Sequence, residues 1–276
     1  MNQKALCIVS RYAGIEWVNF LSKFKNYDVY IVVDDNSNDY SKIYSEFSNV
    51  KILQFEEKEC EKYGFIGALK GMMPGSKGTL RGGPTENKRN AFAWDKAFYY
   101  FAKVNNSYEY VWFLEDDVFI YDETSLFKID YQYSNQDLIS GEFNQDFIED
   151  DNLPYPNKWW WQTMYRLGNF KPEGIFYSCY AFHIRLSKKF IKKIEDYADK
   201  YKTLFYHEAF LPIICIQNNL SFAYPDEFRF SRPSLEIDKN TKKGILGSEK
   251  CYFFHPIKDL KEHECYRGLA TDDLLV

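Results

Sequence analysis

The chain has 276 residues, of which 45% are hydrophobic and 19% aromatic, so it is long enough to bury a sizeable core in one large α/β domain or two small ones. Its 35 basic and 40 acidic residues give a net charge of −5, which argues against a nucleic-acid partner. The six cysteines are scattered without a C-x-x-C pair and are expected to be reduced thiols. The sequence has neither the apolar run of a signal peptide nor a continuous apolar segment of about 18 residues, so we expect a soluble, cytoplasmic protein without a membrane span.

The first 120 residues alternate between predicted strands and predicted helices. Buried apolar runs predict four strands, at residues 5–10, 27–33, 50–55 and 108–114. Apolar residues spaced three and four apart predict helices at residues 14–24, 41–47 and 86–104, the last of them capped by Thr85. Strands joined through short helices imply a parallel, doubly wound sheet.

The second part of the chain gives weaker signals. Strands are predicted at residues 138–143 and 175–184, and helices at residues 187–201 and 212–217. The tail from Phe228 onward is polar and irregular apart from residues 251–254. Because the sequence shows neither an internal repeat nor a linker, we predict a single α/β domain.

Three adjacent carboxylates are the most distinctive feature of the sequence. The apolar run 112–114 is followed at once by Glu115, Asp116 and Asp117, and apolar residues return at 118–120. Adjacent carboxylates repel one another unless a cation or solvent intervenes. In open parallel sheets, ligands bind beyond the carboxyl ends of the strands. The segment is therefore suited to hold Mn²⁺ or Mg²⁺ on a diphosphate, and a solvated acidic turn is the alternative.

The acidic segment resembles the Asp-x-Asp motif of GT-A glycosyltransferases, which closes the fourth strand of that fold, although its first member here is Glu115. Further segments fit the same family in order and rough spacing over residues 5–120. They are Ser10-Arg11-Tyr12 after the first strand, Asp34 and Asp35 after the second, and Arg89-Asn90 before the motif strand. The resemblance implies that these positions contact a nucleoside diphosphate sugar, UDP- or GDP-linked.

The resemblance also implies the fold and the roles of the acids. It implies a GT-A-like α/β fold, with a mostly parallel, Rossmann-type sheet flanked by helices, in one large domain. Residues 1–120 would form the nucleotide-sugar-binding half, and residues 121–276 the acceptor-binding and catalytic half. By analogy, Asp117 and Glu115 bind the metal, while Asp116 reaches the ribose or a metal-bound water.

A further metal ligand often comes from near the C-terminus in GT-A enzymes, frequently a histidine with a cation close by. His255 and Lys258 fit that description, because a neutral imidazole is a good Mn²⁺ ligand and an ammonium three residues on can meet a phosphate oxygen. A half-buried histidine at a strand end is the alternative. A zinc site made of Cys251, His255, His263 and Cys265 matches no familiar zinc spacing and leaves the three acids unexplained.

An inverting transfer needs a general base beside the acceptor hydroxyl. Glu208 is the first candidate and His207 the second, because inverting GT-A enzymes commonly place the base at a helix start late in the fold, and Pro212 favours an early helix position for Glu208. The helix dipole would lower the pKa of this carboxylate, so surrounding aromatics would have to offset that effect. A helix-capping acid is the alternative for Glu208, and a retaining mechanism without such a base stays open.

Two further segments are candidates for substrate contacts. Three successive indoles at 159–161 cannot all face one core, so Trp160 or Trp161 is predicted to bind the acceptor, with a buried aromatic corner as the alternative. The glycine-rich segment 71–84, with Lys70, Lys77 and Arg81 in or beside it, is predicted to close over the donor diphosphate or to be a plain surface loop.

Together these patterns predict a metal-assisted, inverting glycosyltransferase that moves a sugar to a hydroxyl of a glycan or glycoconjugate. A nucleotidyltransferase acting on sugar phosphates is one alternative, but residues 10–15 lack the glycine-rich signature expected after its first strand. A haloacid-dehalogenase phosphatase would need Asp at the first and third places of Asp34-Asp35-Asn36. A non-catalytic carbohydrate-binding protein would not need the acids, His255 and Lys258 together.

Overall fold

The computed structural model describes residues 3–69, 73–74, 80–81, 89–149, 152–158, 160–161, 164, 174–233, 238, 240, 243–245 and 250–272. At 68–69, 73–74, 80–81, 89–90 and 269–272 the description covers the backbone alone. The strands in this part of the chain are β1 Lys4–Ser10, β2 Asp28–Val33, β3 Val50–Gln54, β4 Ala68–Leu69, β5 Met73–Pro74, β6 Leu80–Arg81, β7 Arg89–Asn90, β8 Tyr110–Glu115, β9 Leu138–Ile139, β10 Phe143–Gln145, β11 Tyr177–Cys179, β12 His183–Ser187, β13 Phe222–Ala223, β14 Phe230–Ser231 and β15 Phe254–His255.

Helices separate many of these strands. They are α1 Ile15–Leu21, α2 Tyr40–Ile43, α3 Glu57–Lys62, α4 Ala93–Tyr99, α5 Glu123–Gln132, α6 Lys188–Tyr201, α7 His207–Gln217 and α8 Leu260–Asp272. A π-helical segment, Tyr100–Val104, continues α4, and Asp226–Phe228 forms a 3₁₀ turn.

The central sheet has seven strands in the order β13-β9-β12-β8-β1-β2-β3. β8, β1, β2 and β3 pair in parallel, and β9 pairs in parallel with β13. Only β12 is reversed in this sheet, because it pairs antiparallel with both β8 and β9. The prediction of a mostly parallel α/β sheet flanked by helices is confirmed.

Both faces of the sheet are buried, which explains why its central strands are continuous apolar runs rather than alternating ones. Alternate residues of β1 point to opposite faces. Ala5, Cys7 and Val9 join a core that contains side chains of α4, α6 and α7, whereas Leu6 and Ile8 join a second core with side chains of α1 and α5. A third apolar cluster packs Phe119 against the C-terminal segment.

Several predicted element boundaries are wrong. The helix expected from residue 86 begins only at Ala93, because Arg89–Asn90 pairs antiparallel with Ala68–Leu69 as a strand. The strand expected at 138–143 is split into β9 and β10, and that at 175–184 into β11 and β12, which belong to different sheets. The helix expected at 212–217 begins at His207 and runs through Pro212.

The carboxyl ends of β1, β2 and β8 lie at one edge of the sheet, which follows from their parallel pairing. β12 runs the other way, so its first residue, His183, sits opposite Leu114 at that same edge. None of the described helices is long and apolar enough to cross a membrane.

Candidate metal and substrate site

Two acids and one imidazole that are far apart in sequence meet at this edge of the sheet. His255 Nε2 lies 3.2 Å from Asp117 Oδ1 and 3.6 Å from Glu115 Oε2. One ligand atom from each of the three residues falls within 4.8 Å of the others, the only such group of three potential ligands in the described part of the chain. These are the three residues that the sequence predicts as metal ligands, and carboxylate oxygen with imidazole nitrogen suits Mn²⁺ or Mg²⁺ better than a soft metal.

Main-chain hydrogen bonds bring His255 to the acids. Phe119 and Phe254 exchange amide-to-carbonyl hydrogen bonds, and the amide of Ile257 donates to the carbonyl of Asp117 at 2.7 Å. The segment carrying the histidine is therefore fixed along the exit of β8. The peptide bond between His255 and Pro256 is cis.

The orientation of the His255 ring is set by its two other neighbours. Nδ1 lies 3.0 Å from the carbonyl oxygen of Arg232, so it carries the proton and donates, which leaves Nε2 to face the acids. The ring of Phe182 stacks on the imidazole, with centroids 3.7 Å apart and planes 9° from parallel. Metal-binding histidines are commonly held in this way, with the second ring nitrogen donating to a carbonyl or carboxylate.

The electrostatics of the cluster also fit a cation. Burial opposes charge on the His255 imidazole, but the carboxylates of Asp117 and Glu115 outweigh it and raise its pKa to about 9. Asp117 Oδ1 is a buried oxygen for which the described residues supply no aligned hydrogen-bond donor. Its ionic partner is the His255 imidazole, with Nε2 at 3.2 Å, and a divalent ion bound between the two would take the place of the proton on Nε2.

Asp116 points away from this group, toward the end of β1. Its carboxylate accepts a hydrogen bond from the hydroxyl of Ser10, and its main-chain carbonyl accepts one from the indole of Trp17 at 2.9 Å. Burial raises the pKa of Asp116, and the bond from Ser10 only partly offsets this. Asp116 thus connects the acidic segment to the loop after β1, where Tyr12 is half exposed.

An open cleft of about 590 Å³ lies beside that loop. Arg11, Asp34, Asp35 and Lys96 line it, with residues 36 and 56–58. The buried ammonium of Lys96 contacts Asp34 twice, at the carboxylate oxygen Oδ1 (2.8 Å) and at the main-chain oxygen (3.0 Å). The cleft thus collects the predicted nucleoside contacts Arg11, Asp34 and Asp35.

Within the cleft, Asp35 is largely engaged by its own loop. It accepts hydrogen bonds from the amide and hydroxyl of Ser37 and from the hydroxyl of Tyr40. The bonds from Ser37 hold the pKa of Asp35 below its ordinary value. Asp34 is thus the acid in the cleft whose partner is a lysine.

The two candidate bases lie close to the predicted metal ligand Glu115. His207 and Glu208 form the first turn of α7, as expected, and His207 Nδ1 is 3.7 Å from Glu208 Oε2. His207 Nε2 is 4.0 Å from Glu115 Oε1 and is a buried nitrogen without a hydrogen-bond partner among the described residues. The side chain of Glu208 is 31% exposed to solvent.

The two described indoles of the tryptophan run behave differently. Trp161 is fully buried and donates to Asp146 Oδ2 at 2.8 Å. Trp160 is only partly buried, and Lys158 lies over its ring. Of the two predicted acceptor contacts, Trp161 has no face open to a ligand in this structure, so that prediction is kept for Trp160.

The remaining predicted contacts are less defined. Lys258 is exposed, three residues beyond the cluster's imidazole. The side chain of Arg89 is outside the described residues, as are Lys70, Lys77 and most of segment 71–84. The zinc alternative is not assembled: His263 Nε2 contacts the carbonyl of Ile257, and Cys265 is exposed.

Sequence reasoning missed two residues at this site, Trp94 and Lys96. Both lie in the first turns of α4, and both reach acids that the sequence does single out, Glu115 and Asp34. The apolar spacing of the helix indicated Trp94 only as a core residue. A lysine at a buried helix position was the available signal for Lys96.

No family model and no curated protein sequence matches the chain. Among solved structures, the chain is similar to the 4-diphosphocytidyl-2C-methyl-D-erythritol synthase of Anaerococcus prevotii, at 8% identity and a TM-score of 0.41 over 80% of this chain and 87% of that one. It is also similar to mouse xyloside xylosyltransferase 1, at 11% identity and a TM-score of 0.39, over 83% and 87%. The chain is likewise similar to an active-site mutant of LgtC, at 11% identity and a TM-score of 0.42 over 97% of this chain and 95% of that one. Identities and scores this low assign no function to this chain.

Proposed function

We propose that this chain is a metal-dependent glycosyltransferase of the GT-A type, which moves a sugar from a nucleoside diphosphate sugar to a hydroxyl of a glycan or glycoconjugate. The observation that carries the proposal is the meeting of Glu115, Asp117 and His255 at the carboxyl edge of the sheet. A divalent cation held there, Mn²⁺ or Mg²⁺, would neutralise charge on the departing diphosphate.

The donor and the base are assigned around this centre. Arg11, Asp34 and Asp35 bind the nucleoside in the cleft beside the acids, where Lys96 fixes Asp34. Glu208 takes the proton of the acceptor hydroxyl, since it is partly exposed and only one imidazole, that of His207, separates it from Glu115. A carboxylate distinct from the metal ligands is what an inverting transfer requires.

We also propose that the chain is one domain with a donor half at residues 1–120 and an acceptor half at 121–276. The hydrophobic cores support a single domain. One core contains Ala5 and Leu220, and the other contains Leu6 and Phe253, so each core is built from both halves.

The test is a panel of UDP- and GDP-linked sugars with Mn²⁺, in which release of free nucleoside diphosphate is measured with and without a chelator. Asp117→Asn is expected to abolish release, because it removes one negative ligand. Asp196→Asn is the matched control: Asp196 is a partly exposed acid on α6 that pairs with Lys192, and this variant should keep full activity.

Two other results would reject the proposal. Release of pyrophosphate from a nucleoside triphosphate and a sugar phosphate would identify a nucleotidyltransferase. Glycan binding without turnover of any donor would identify a carbohydrate-binding protein.

A further inference from the structure

Trp94 makes two contacts beside the cluster of Glu115, Asp117 and His255. Its indole N–H donates to Glu115 Oε1 at 3.0 Å. Its ring stacks on the imidazole of His207, with centroids 4.2 Å apart and planes 23° from parallel. The indole also packs against the rings of Phe98 and Phe113, whose centroids lie 5.6 and 6.1 Å from its own. The indole is therefore held by three rings and one carboxylate.

The hydrogen bond from Trp94 distinguishes the two oxygens of Glu115. Oε1 is taken by the indole, whereas Oε2 is the oxygen that lies 3.6 Å from His255 Nε2. One oxygen is thus fixed by a donor and the other is presented to the position that a cation would occupy. Without this donor, the carboxylate of Glu115 would rotate about its last bond and present either oxygen. Fixing it when a metal binds would then cost conformational entropy.

The start of α4 is itself anchored, so the indole has a fixed base. Asp95 is buried and accepts a hydrogen bond from the amide of Phe92 at 3.0 Å. Burial raises the pKa of Asp95 to about 7. Lys96, in the same turn, is fixed on Asp34 in the cleft. One helical turn thus reaches the acid of the metal cluster through Trp94 and the acid of the cleft through Lys96.

We propose that Trp94 is a positioning residue that holds Glu115 for binding of the divalent cation, and that His207 supports the indole from its open face. This inference rests on the proposed metal-dependent function and deepens it. Trp94 touches neither metal nor substrate in this arrangement, and it acts only through Glu115.

The experiment is a titration of the full chain with Mn²⁺ alone, in which free Mn²⁺ is measured by electron paramagnetic resonance. Trp94→Phe keeps an aromatic ring on His207 but removes the N–H donor. We expect its Kd for Mn²⁺ to rise about 10- to 100-fold, the usual effect of losing a hydrogen bond to a metal ligand. Tyr99→Phe is the matched control on the same helix, since it removes a donor to Glu59, which lies outside the cluster, and should leave the Kd unchanged.

A second set of variants separates positioning from a general loss of fold. In a Glu115→Gln background, Trp94→Phe should have little further effect on Mn²⁺ affinity, because both changes act on the same ligand. Trp94→Met replaces Trp94→Phe if circular dichroism shows that the phenylalanine variant is unfolded. A folded donor-free variant that binds Mn²⁺ as tightly as the wild type would overturn the positioning role alone. Wild-type protein that binds no Mn²⁺ would overturn the proposed metal-dependent function as well.

Discussion

His183 offers a direct test of the electrostatics of the core. It is fully buried at the start of β12, and neither ring nitrogen has a hydrogen-bond partner among the described residues. Its neighbours are aromatic, with the ring of Phe228 at 4.0 Å and that of Phe253 at 5.2 Å. Burial in these surroundings lowers the pKa of His183 from 6.5 to about 3.

The sign of the pH effect follows from this depressed pKa. In the unfolded chain His183 takes up a proton below pH 6.5, whereas in the folded chain it does so only near pH 3. The free energy of unfolding is therefore unaffected above pH 6.5 and falls as the pH drops from 6.5 toward 3. At pH 4.5, about two pKa units below the unfolded value, the loss amounts to about 3 kcal/mol. That is a large part of the free energy of unfolding of an ordinary domain.

The assay is urea unfolding of wild type and His183→Phe at pH 7 and at pH 4.5. The variant should lose about 3 kcal/mol less than the wild type between the two pH values, because the titrating ring is gone. It should be no less stable at pH 7, since the phenyl ring replaces two unpaired nitrogens among aromatic neighbours. Equal losses in the two proteins would refute the reasoning.

His263→Phe is a useful contrast in the same experiment. Burial lowers the pKa of His263 to about 4, but its Nε2 contacts the carbonyl of Ile257 at 2.9 Å. The stability of this variant should therefore also be less sensitive to acid. Its free energy of unfolding at pH 7 should nevertheless fall by about 1 kcal/mol, because this hydrogen bond is lost.

Three further outcomes are expected. Glu208→Gln should reduce sugar transfer at least about 100-fold while Mn²⁺ binding is unchanged, and unimpaired transfer would remove Glu208 from the role of base. Asp130→Asn leaves the fully buried guanidinium of Arg185 without its ion-pair partner and should lower the free energy of unfolding by about 3–5 kcal/mol, measured in urea; a loss too small to measure would contradict this account. Ser187→Ala removes the hydroxyl that accepts from the first turn of α6 and should cost about 1 kcal/mol in the same assay, whereas a neutral effect would show that the cap is dispensable.

The central strands could be predicted from the sequence because strands buried on both faces are continuous apolar runs. β1, β2, β3 and β8 are apolar runs covered on both faces, and each was placed within about two residues of its observed bounds. The acids at 115–117 were recognisable for the same reason, since they interrupt such a run.

The sequence analysis missed the helices α3, α5 and α8, and two of these, α5 and α8, are stabilised by residues remote in sequence. α5 reads ETSLFKIDYQ and buries Asp130, which is possible only because Arg185, Tyr27 and Trp112 all donate to that carboxylate. α8 is likewise polar along its sequence, yet the guanidinium of Arg267 lies 3.4 Å from the ring centroid of Phe20 on α1. The spacing of apolar residues along a helix does not indicate such contacts.

The candidate site was predictable in its ligand types but not in its supports. Glu115, Asp117 and His255, which the resemblance to GT-A enzymes indicated as metal ligands, lie close together in the structure. The indole of Trp94, the ring of Phe182 and the carbonyl of Arg232 orient those ligands through tertiary contacts, and no spacing in the sequence links them to the acids.

The pairing of Phe119 with Phe254 and of Asp117 with Ile257 has a consequence for how the protein is made. The two acids belong to the end of β8, whereas the imidazole belongs to β15, which comes much later in the sequence. During translation the acids of the cluster emerge long before the imidazole that pairs with them, so a nascent chain that still lacks β15 would carry these acids without their ion-pair partner. A cation bound by Glu115, Asp117 and His255, as proposed, would join these two segments and so favour the docking of β15 beside the end of β8.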